Sequence, residues 1–105
     1  ANTAPPGGHY AHAVIAGGFV FVSGQLPVQP DGTHAPAADF TTQARQALAN
    51  LFAALAAAGS SRAALVKLTV YVTNIADWPQ FNALYAEAMG DHRPARSVVP
   101  VPELH

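Results

Sequence analysis

The residue with the clearest chemical capacity is Arg96, which stands directly before an apolar stretch, Ser97–Val101. The 105 residues include only five lysines and arginines. A guanidinium beside apolar surface is unfavourable unless a carboxylate meets it, from the protein or from a ligand. Two interpretations are open. Arg96 pairs with an acidic neighbour at a strand edge, as many arginines do, or its forked donors bind a small carboxylic acid.

A second group of polar residues suits the recognition of a small acid together with one positioned water molecule. These residues are Tyr10, Ser23, Gln25, Asn82 and Arg96. Covalent catalysis is not expected from them, because the chain has no cysteine and Ser23 does not stand on the strand-to-helix elbow of a serine hydrolase.

The histidines do not predict a metal site. His9 and His12 are three residues apart in a segment expected to be extended, where their side chains point to opposite faces. The chain also lacks the helical metal-binding motif of the zinc proteases and a glycine-rich phosphate loop. We therefore expect neither a metal nor a cofactor.

The composition restricts the partners of the protein. Half of the residues are hydrophobic and only 10% are charged, against about a quarter in ordinary domains. Other subunits are therefore expected to cover part of the apolar surface. The net charge of −1, without a basic run, argues against nucleic acid. No apolar run could span a bilayer and no signal peptide is visible, so we expect a soluble, cytoplasmic protein without a membrane partner.

The first half of the chain predicts an arm, a hairpin and a helix. Residues 1–8 lack periodicity and predict an extended N-terminal arm. Gly17-Gly18 separates two short apolar runs, which predicts a β-hairpin. Asp39 is suited to cap a helix that runs to about Ala58, where Gly59 ends it. The helix residues expected mainly to face water are Gln43, Arg45, Gln46 and Asn50.

The second half predicts a strand, a helix and a strand. Leu65–Thr73 alternates between apolar and polar residues. Asp77 is suited to cap a helix that Gly90 ends, and Ser97–Val101 predicts the last strand. The order β-β-α-β-α-β predicts an α+β fold, a layer of two helices packed on one face of a mixed sheet. The length predicts a single domain, residues 1–105.

Six segments share their residues and order with a known family. They are Gly8–Tyr10, Val22–Val28, Gln43–Leu51, Val66–Val72, Phe81–Tyr85 and Pro94–Ser97. With them the chain resembles, over nearly its whole length, the Rid (YjgF-type) reactive imine and enamine deaminases, also called endoribonuclease L-PSP-like proteins. The resemblance implies a fold like that of the small chorismate mutases. It also implies a homotrimer with its sites in clefts between adjacent subunits.

The resemblance also implies a reaction and its residues. The reaction is the hydrolysis of small 2-imino acids, and of enamines that tautomerise to them, to 2-keto acids and ammonia. This is the chemistry of a 2-iminobutanoate/2-iminopropanoate deaminase, a hydrolase without a cofactor. Arg96 would hold the carboxylate, and an oriented water would then need little further help. The resemblance assigns catalytic roles to Arg96 and Tyr10, and substrate-binding roles to Ser23, Gly24, Asn82, Arg96 and Val98.

Three departures from the family pattern keep alternatives open. Family deaminases carry a glutamate on a final strand, which is expected to be absent after residue 105. Val98 stands where the family often has cysteine, and Met89–His92 is about three residues shorter than usual. One alternative is a non-catalytic trimer that binds small carboxylates such as 2-keto acids, which needs no general base. Another is an endoribonuclease or translation inhibitor, which the net charge disfavours.

Overall fold

The computed structural model describes residues 5–6, 8–29, 31–32 and 39–104. The chain forms two compact units, Ala1–Arg62 and Ala63–His105. The predicted N-terminal arm lies largely outside the described residues. The elements follow the predicted order β-β-α-β-α-β, which confirms the α+β class. Among the described residues, no helix is long and apolar enough to cross a membrane.

The first unit begins with the predicted hairpin. Strands β1 (Ala13–Ala16) and β2 (Phe19–Val22) pair antiparallel, with Ala16 opposite Phe19. The turn residues Gly17-Gly18 have φ values of 58° and 81°. Residues with a side chain rarely adopt this left-handed conformation, so the two glycines allow the tight two-residue turn.

Helix α1 (Phe40–Ala57) also belongs to the first unit and has the predicted ends. The Asp39 carboxylate accepts a hydrogen bond from the Thr42 N–H at 2.8 Å, which confirms the N-cap. At the other end Gly59 has a φ of 81°, and the N–H of the following residue donates to the Leu55 carbonyl at 2.8 Å. These two features are a Schellman motif, which satisfies carbonyls that the helix leaves open.

The buried face of α1 is apolar except at one residue, which the sequence analysis expected to face water. The buried apolar side chains are Ala44, Leu48, Ala54 and Leu55. The expectation that Asn50 faces water is wrong, because its side chain is only 5% exposed. The amide is buried because it binds backbone carbonyls of the segment after β2.

In the second unit, β3 (Lys67–Val72) and β4 (Ala95–Pro100) form a parallel pair. Arg96 lies opposite Leu68 in the register. Exposed and covered residues alternate along β3, as the sequence predicts, and Val72 is buried at its end.

Strand β4 begins two residues before the predicted start at Ser97. The N–H of Ala95 donates to the carbonyl of Val66 at 3.0 Å, and this bond extends the pairing toward the preceding loop. Arg96 therefore lies inside the strand, where the backbone fixes the direction of its side chain.

Helix α2 (Trp78–Met89) starts after Asp77 as predicted, but the Asp77 side chain makes no capping hydrogen bond. Asn74, at the start of a short 3-10 turn, instead accepts a bond from the Ala76 N–H at 3.0 Å. Gly90, with a φ of 63°, follows the helix. The buried side chains of α2 are Phe81, Tyr85 and Met89.

Candidate functional site

In the second unit, Arg96 extends from β4 over aromatic rings of α2. Its guanidinium carbon lies 4.8 Å from the ring centre of Tyr85 and 5.9 Å from that of Trp78. Both distances lie within the range of cation–π attraction. The guanidinium forms no ion pair or hydrogen bond with any described residue, so the interpretation of an ordinary arginine–acid pair finds no support among them.

Asn82 lies on the same face of α2 as the two rings. Trp78, Asn82 and Tyr85 are spaced by four and three residues, which places them along one side of the helix. The side chain of Asn82 is half-buried. The second unit thus brings the amide of Asn82 to the helix face over which the guanidinium lies.

Tyr85 gives this face a neutral character. Its side chain is 7% exposed, and its hydroxyl is buried without a hydrogen-bond partner among the described residues. Burial raises the pKa of the Tyr85 phenol, and the charge of Arg96 only partly opposes the shift. The phenol therefore stays neutral at physiological pH and leaves the positive charge of Arg96 uncompensated.

The backbone of β4 adds a hydrogen-bond acceptor. The N–H groups of Ala95 and Val101 donate to carbonyls on the β3 side at 3.0 and 2.8 Å. In a parallel pair, alternate residues direct both backbone groups toward the partner strand. Arg96 and Val98 occupy the intervening positions, so the carbonyl of Val98 points away from β3.

The first unit holds the remaining predicted residues. The Ser23 hydroxyl donates to the carbonyl of Ala11 at 2.6 Å, and the Ser23 N–H donates to that of His12 at 2.9 Å. These bonds fasten the end of β2 to the segment before β1. The donor of the hydroxyl is therefore occupied, while its oxygen can still accept a bond from a ligand.

Tyr10 and Gly24 line one cavity of about 250 Å³ in the first unit, together with Gln25. Tyr10 is 43% exposed. A Cβ built on Gly24 would meet no atom within 4 Å, so nothing described in the chain requires glycine there. The Gln25 amide donates to the carbonyl of Ser23 at 3.0 Å.

Asn50, which the sequence analysis missed, anchors the segment that follows these residues. Its Nδ2 donates to the carbonyls of Leu26 and Val28, each at 2.8 Å, and its Oδ1 accepts from Gln46 at 2.9 Å. The signal in the sequence was its spacing, since Asn50 stands three and four residues from apolar positions of α1.

Trp78 and Tyr85 were also missed as site residues. The signal was two aromatic residues seven apart with Asn82 between them. No group of three histidine, cysteine, aspartate or glutamate side chains that could hold a metal ion occurs in the described part of the chain.

Comparison with known proteins identifies the family. The model of the family described as Endoribonuclease L-PSP matches residues 1–105. A 2-iminobutanoate/2-iminopropanoate deaminase of Salmonella typhimurium is 42% identical over 100 residues, 92% of this chain and 77% of that protein. A RutC family protein of Pyrococcus horikoshii is 40% identical over 103 residues, 98% of this chain and 82% of that protein.

Solved structures agree with the sequence comparison. The crystal structure of TdcF from Escherichia coli with bound serine has a TM-score of 0.91 and 37% identity, covering 98% of this chain and 83% of that one. The YjgF gene product of Escherichia coli has a TM-score of 0.90 and 39% identity, with the same coverage. The α+β fold is that of these proteins, and the chain belongs to the endoribonuclease L-PSP family, the Rid or YjgF-type family.

Proposed function

We propose that this protein hydrolyses small 2-imino acids and their enamine tautomers to 2-keto acids and ammonia, with Arg96 holding the substrate carboxylate. The observation that carries the proposal is the guanidinium of Arg96, which lies over two neutral rings without an acidic partner among the described residues. The name of the relative from Salmonella typhimurium supports the reaction class.

The electrostatics of the second unit favour an anionic ligand. A partly buried guanidinium is poorly hydrated, and a carboxylate can satisfy two of its donors in parallel. The Asn82 amide, on the same helix face, offers both a donor and an acceptor to the rest of the ligand. The carbonyl of Val98 is an acceptor for the ligand amine or for water.

The reaction needs little from the protein beyond orientation. Water adds to the iminium carbon while the C=N electron pair moves to nitrogen. A proton then passes from the added oxygen to nitrogen, the C–N bond breaks as ammonia leaves, and C=O forms as the remaining hydroxyl proton passes to solvent. A fixed carboxylate places the electrophilic carbon next to the water, which is the contribution we assign to Arg96.

We place this site in a cleft between adjacent subunits of a homotrimer, where Tyr10, Ser23 and Gly24 line the cleft. The support is the family and the apolar surface of the hairpin. Its exposed apolar side chains are Val14, Ile15, Phe19 and Phe21, each at least 55% exposed. Val14, Phe19 and Phe21 lie on one face of the hairpin, and an exposed apolar face of this kind is typical of subunit contacts. Sedimentation equilibrium tests the trimer, and a monomer at micromolar concentration would contradict it.

The reaction is tested by imine hydrolysis in wild type and Arg96→Ala. An amino-acid oxidase generates the imine, semicarbazide traps it, and slower semicarbazone formation reports hydrolysis. We expect Arg96→Ala to lower kcat/KM by at least about tenfold, because a hydrogen bond to a charged group contributes roughly 1.5–3 kcal/mol.

Arg93→Ala is the matched control. Arg93 is an exposed arginine three residues away, and its loss changes the net charge by the same amount. We expect kcat/KM of this variant to stay within about twofold of wild type. Equal losses in both variants would show a general charge effect and would remove the assigned role of Arg96.

The second candidate is a trimer that binds 2-keto acids without turning over an imine. The same observation fits this candidate, because no acidic side chain pairs with Arg96 among the described residues and binding needs no general base. Calorimetric binding of 2-oxobutanoate without imine turnover would establish it. The net charge of −1 disfavours the alternative of an endoribonuclease. Salt-sensitive RNA binding together with RNA cleavage would support that alternative.

A further inference from the structure

Within the part of the chain that the structure describes, the guanidinium of Arg96 is held by aromatic faces alone. Its carbon lies 4.8 Å from the Tyr85 ring centre and 5.9 Å from that of Trp78. We propose that Tyr85 and Trp78 are positioning residues that fix the guanidinium by their ring faces and leave its N–H donors for the ligand. This inference rests on the proposed function, in which Arg96 is the carboxylate anchor.

Ring faces and carboxylates hold an arginine in different ways. A protein carboxylate would accept hydrogen bonds from two of the five N–H donors and neutralise the charge of the guanidinium. An aromatic face attracts the cation through its quadrupole and takes no donor. The side chain is thus ordered before the ligand arrives, while the donors that recognise a carboxylate stay open. Ordering a long side chain in advance lowers the entropy cost of binding.

Tyr85 can act as the fixed part of this support. Its ring is buried and stacks on Phe81, with ring centres 5.7 Å apart and an angle of 26° between the planes. A side chain packed in this way keeps one rotamer. Trp78 is 39% exposed at the first position of α2, and its ring is the more distant and more accessible part of the support.

The Tyr85 hydroxyl has no part in this role. It is buried without a hydrogen-bond partner among the described residues, and the guanidinium carbon lies over the ring. Tyr85→Phe keeps the ring face and removes the hydroxyl, whereas Tyr85→Leu removes the face. The two substitutions therefore separate positioning by the ring from any function of the hydroxyl.

The test compares Tyr85→Leu, Tyr85→Phe and Trp78→Leu with Phe81→Leu. Phe81→Leu is the control for lost packing, since it removes the equally buried ring that stacks on Tyr85 but keeps the Tyr85 face under the guanidinium. It should therefore raise KM and Kd less than Tyr85→Leu does. We expect Tyr85→Leu to raise KM for the imine and Kd for 2-oxobutanoate about tenfold, and Trp78→Leu about threefold. We expect kcat to stay within about threefold, because Arg96 is retained and still contacts the carboxylate once the substrate is bound.

Tyr85→Phe is expected to restore KM and Kd to within about twofold of wild type. Equal KM and Kd in Tyr85→Leu and the Phe81→Leu control would overturn the inference. It would also be overturned if Tyr85→Phe bound the ligand as weakly as Tyr85→Leu. Trp78→Leu alters a half-exposed residue and is expected to fold. If Tyr85→Leu does not fold, KM and Kd of Trp78→Leu therefore test the inference in its place.

A ligand-free measurement separates this inference from the proposed function. The Arg96 Nε–H signal in ¹⁵N NMR should be ordered and shifted by ring currents in wild type and Tyr85→Phe, and mobile in Tyr85→Leu. An equally ordered signal in Tyr85→Leu would overturn the positioning role. If the signal behaves as expected while wild type neither hydrolyses imines nor binds 2-oxobutanoate, the proposed function fails and the aromatic support of Arg96 stands.

Discussion

Replacing Asn50 should destabilise the protein strongly, although the sequence predicts that this residue faces water, where a substitution would have little effect. Its side chain is 5% exposed. It donates to the carbonyls of Leu26 and Val28 at 2.8 Å each and accepts from Gln46 at 2.9 Å. Asn50→Asp keeps the shape of the side chain, but both carbonyls then face an oxygen that cannot donate.

The magnitude follows from these three bonds. A hydrogen bond contributes about 1 kcal/mol net, and a buried polar group left without its partner costs about 1–3 kcal/mol. Asn50→Asp loses two donors and leaves two carbonyls unpaired, so we expect a loss of about 2–4 kcal/mol in the free energy of unfolding. Gln46→Ala removes only the third bond and should cost about 1 kcal/mol or less.

Urea denaturation of wild type, Asn50→Asp and Gln46→Ala measures both quantities. The midpoint should fall clearly in Asn50→Asp, with an unchanged slope if the denatured state is unaffected. Asn50→Asp within about 0.5 kcal/mol of wild type would refute the reasoning, because water would then be satisfying the two carbonyls in place of the amide.

Three further results are expected. Bonds from the Thr42 side chain and N–H lower the pKa of Asp39 below 3.8, so its contribution to stability is complete above that pH and is lost as pH falls through the folded-state value. The urea midpoint of wild type should therefore drop in acid relative to Asp39→Asn, which keeps the cap. Burial raises the pKa of Tyr85 above 10.0. Its contribution is complete below that pH, so the midpoint of wild type should fall relative to Tyr85→Phe as pH rises beyond it. Finally, Gly24→Ala should leave the melting temperature unchanged but raise KM, whereas Gly59→Ala, at a φ of 81°, should lower the melting temperature and leave KM unchanged.

Local chemistry made the framework predictable. Gly17-Gly18 between two short apolar runs favours a tight hairpin turn, and Asp39 before an apolar periodic segment favours a helix N-cap. The hairpin and the start of α1 therefore follow from neighbouring residues alone. The alternation along β3 likewise requires only the pleat of a strand. These features appear in the structure where they were expected.

Contacts distant in the sequence were not predictable in the same way. Asn50 bonds to carbonyls 22 and 24 residues away, and an asparagine in an alanine-rich helix is by itself better suited to solvent. The aromatic support of Arg96 depends on how α2 packs near β4, which no local pattern contains. The sequence indicated an arginine that needs a partner, and the structure shows Tyr85 and Trp78 beside it.

The most direct test of the central claim asks whether Arg96 recognises the carboxylate itself. Calorimetry measures Kd for 2-oxobutanoate and for its neutral amide, each with wild type and Arg96→Ala. We predict that the substitution weakens the acid by at least about tenfold and the amide by less than about twofold, because only the acid carries the charge that the guanidinium meets. Equal losses for both ligands, or no loss for either, would contradict the account.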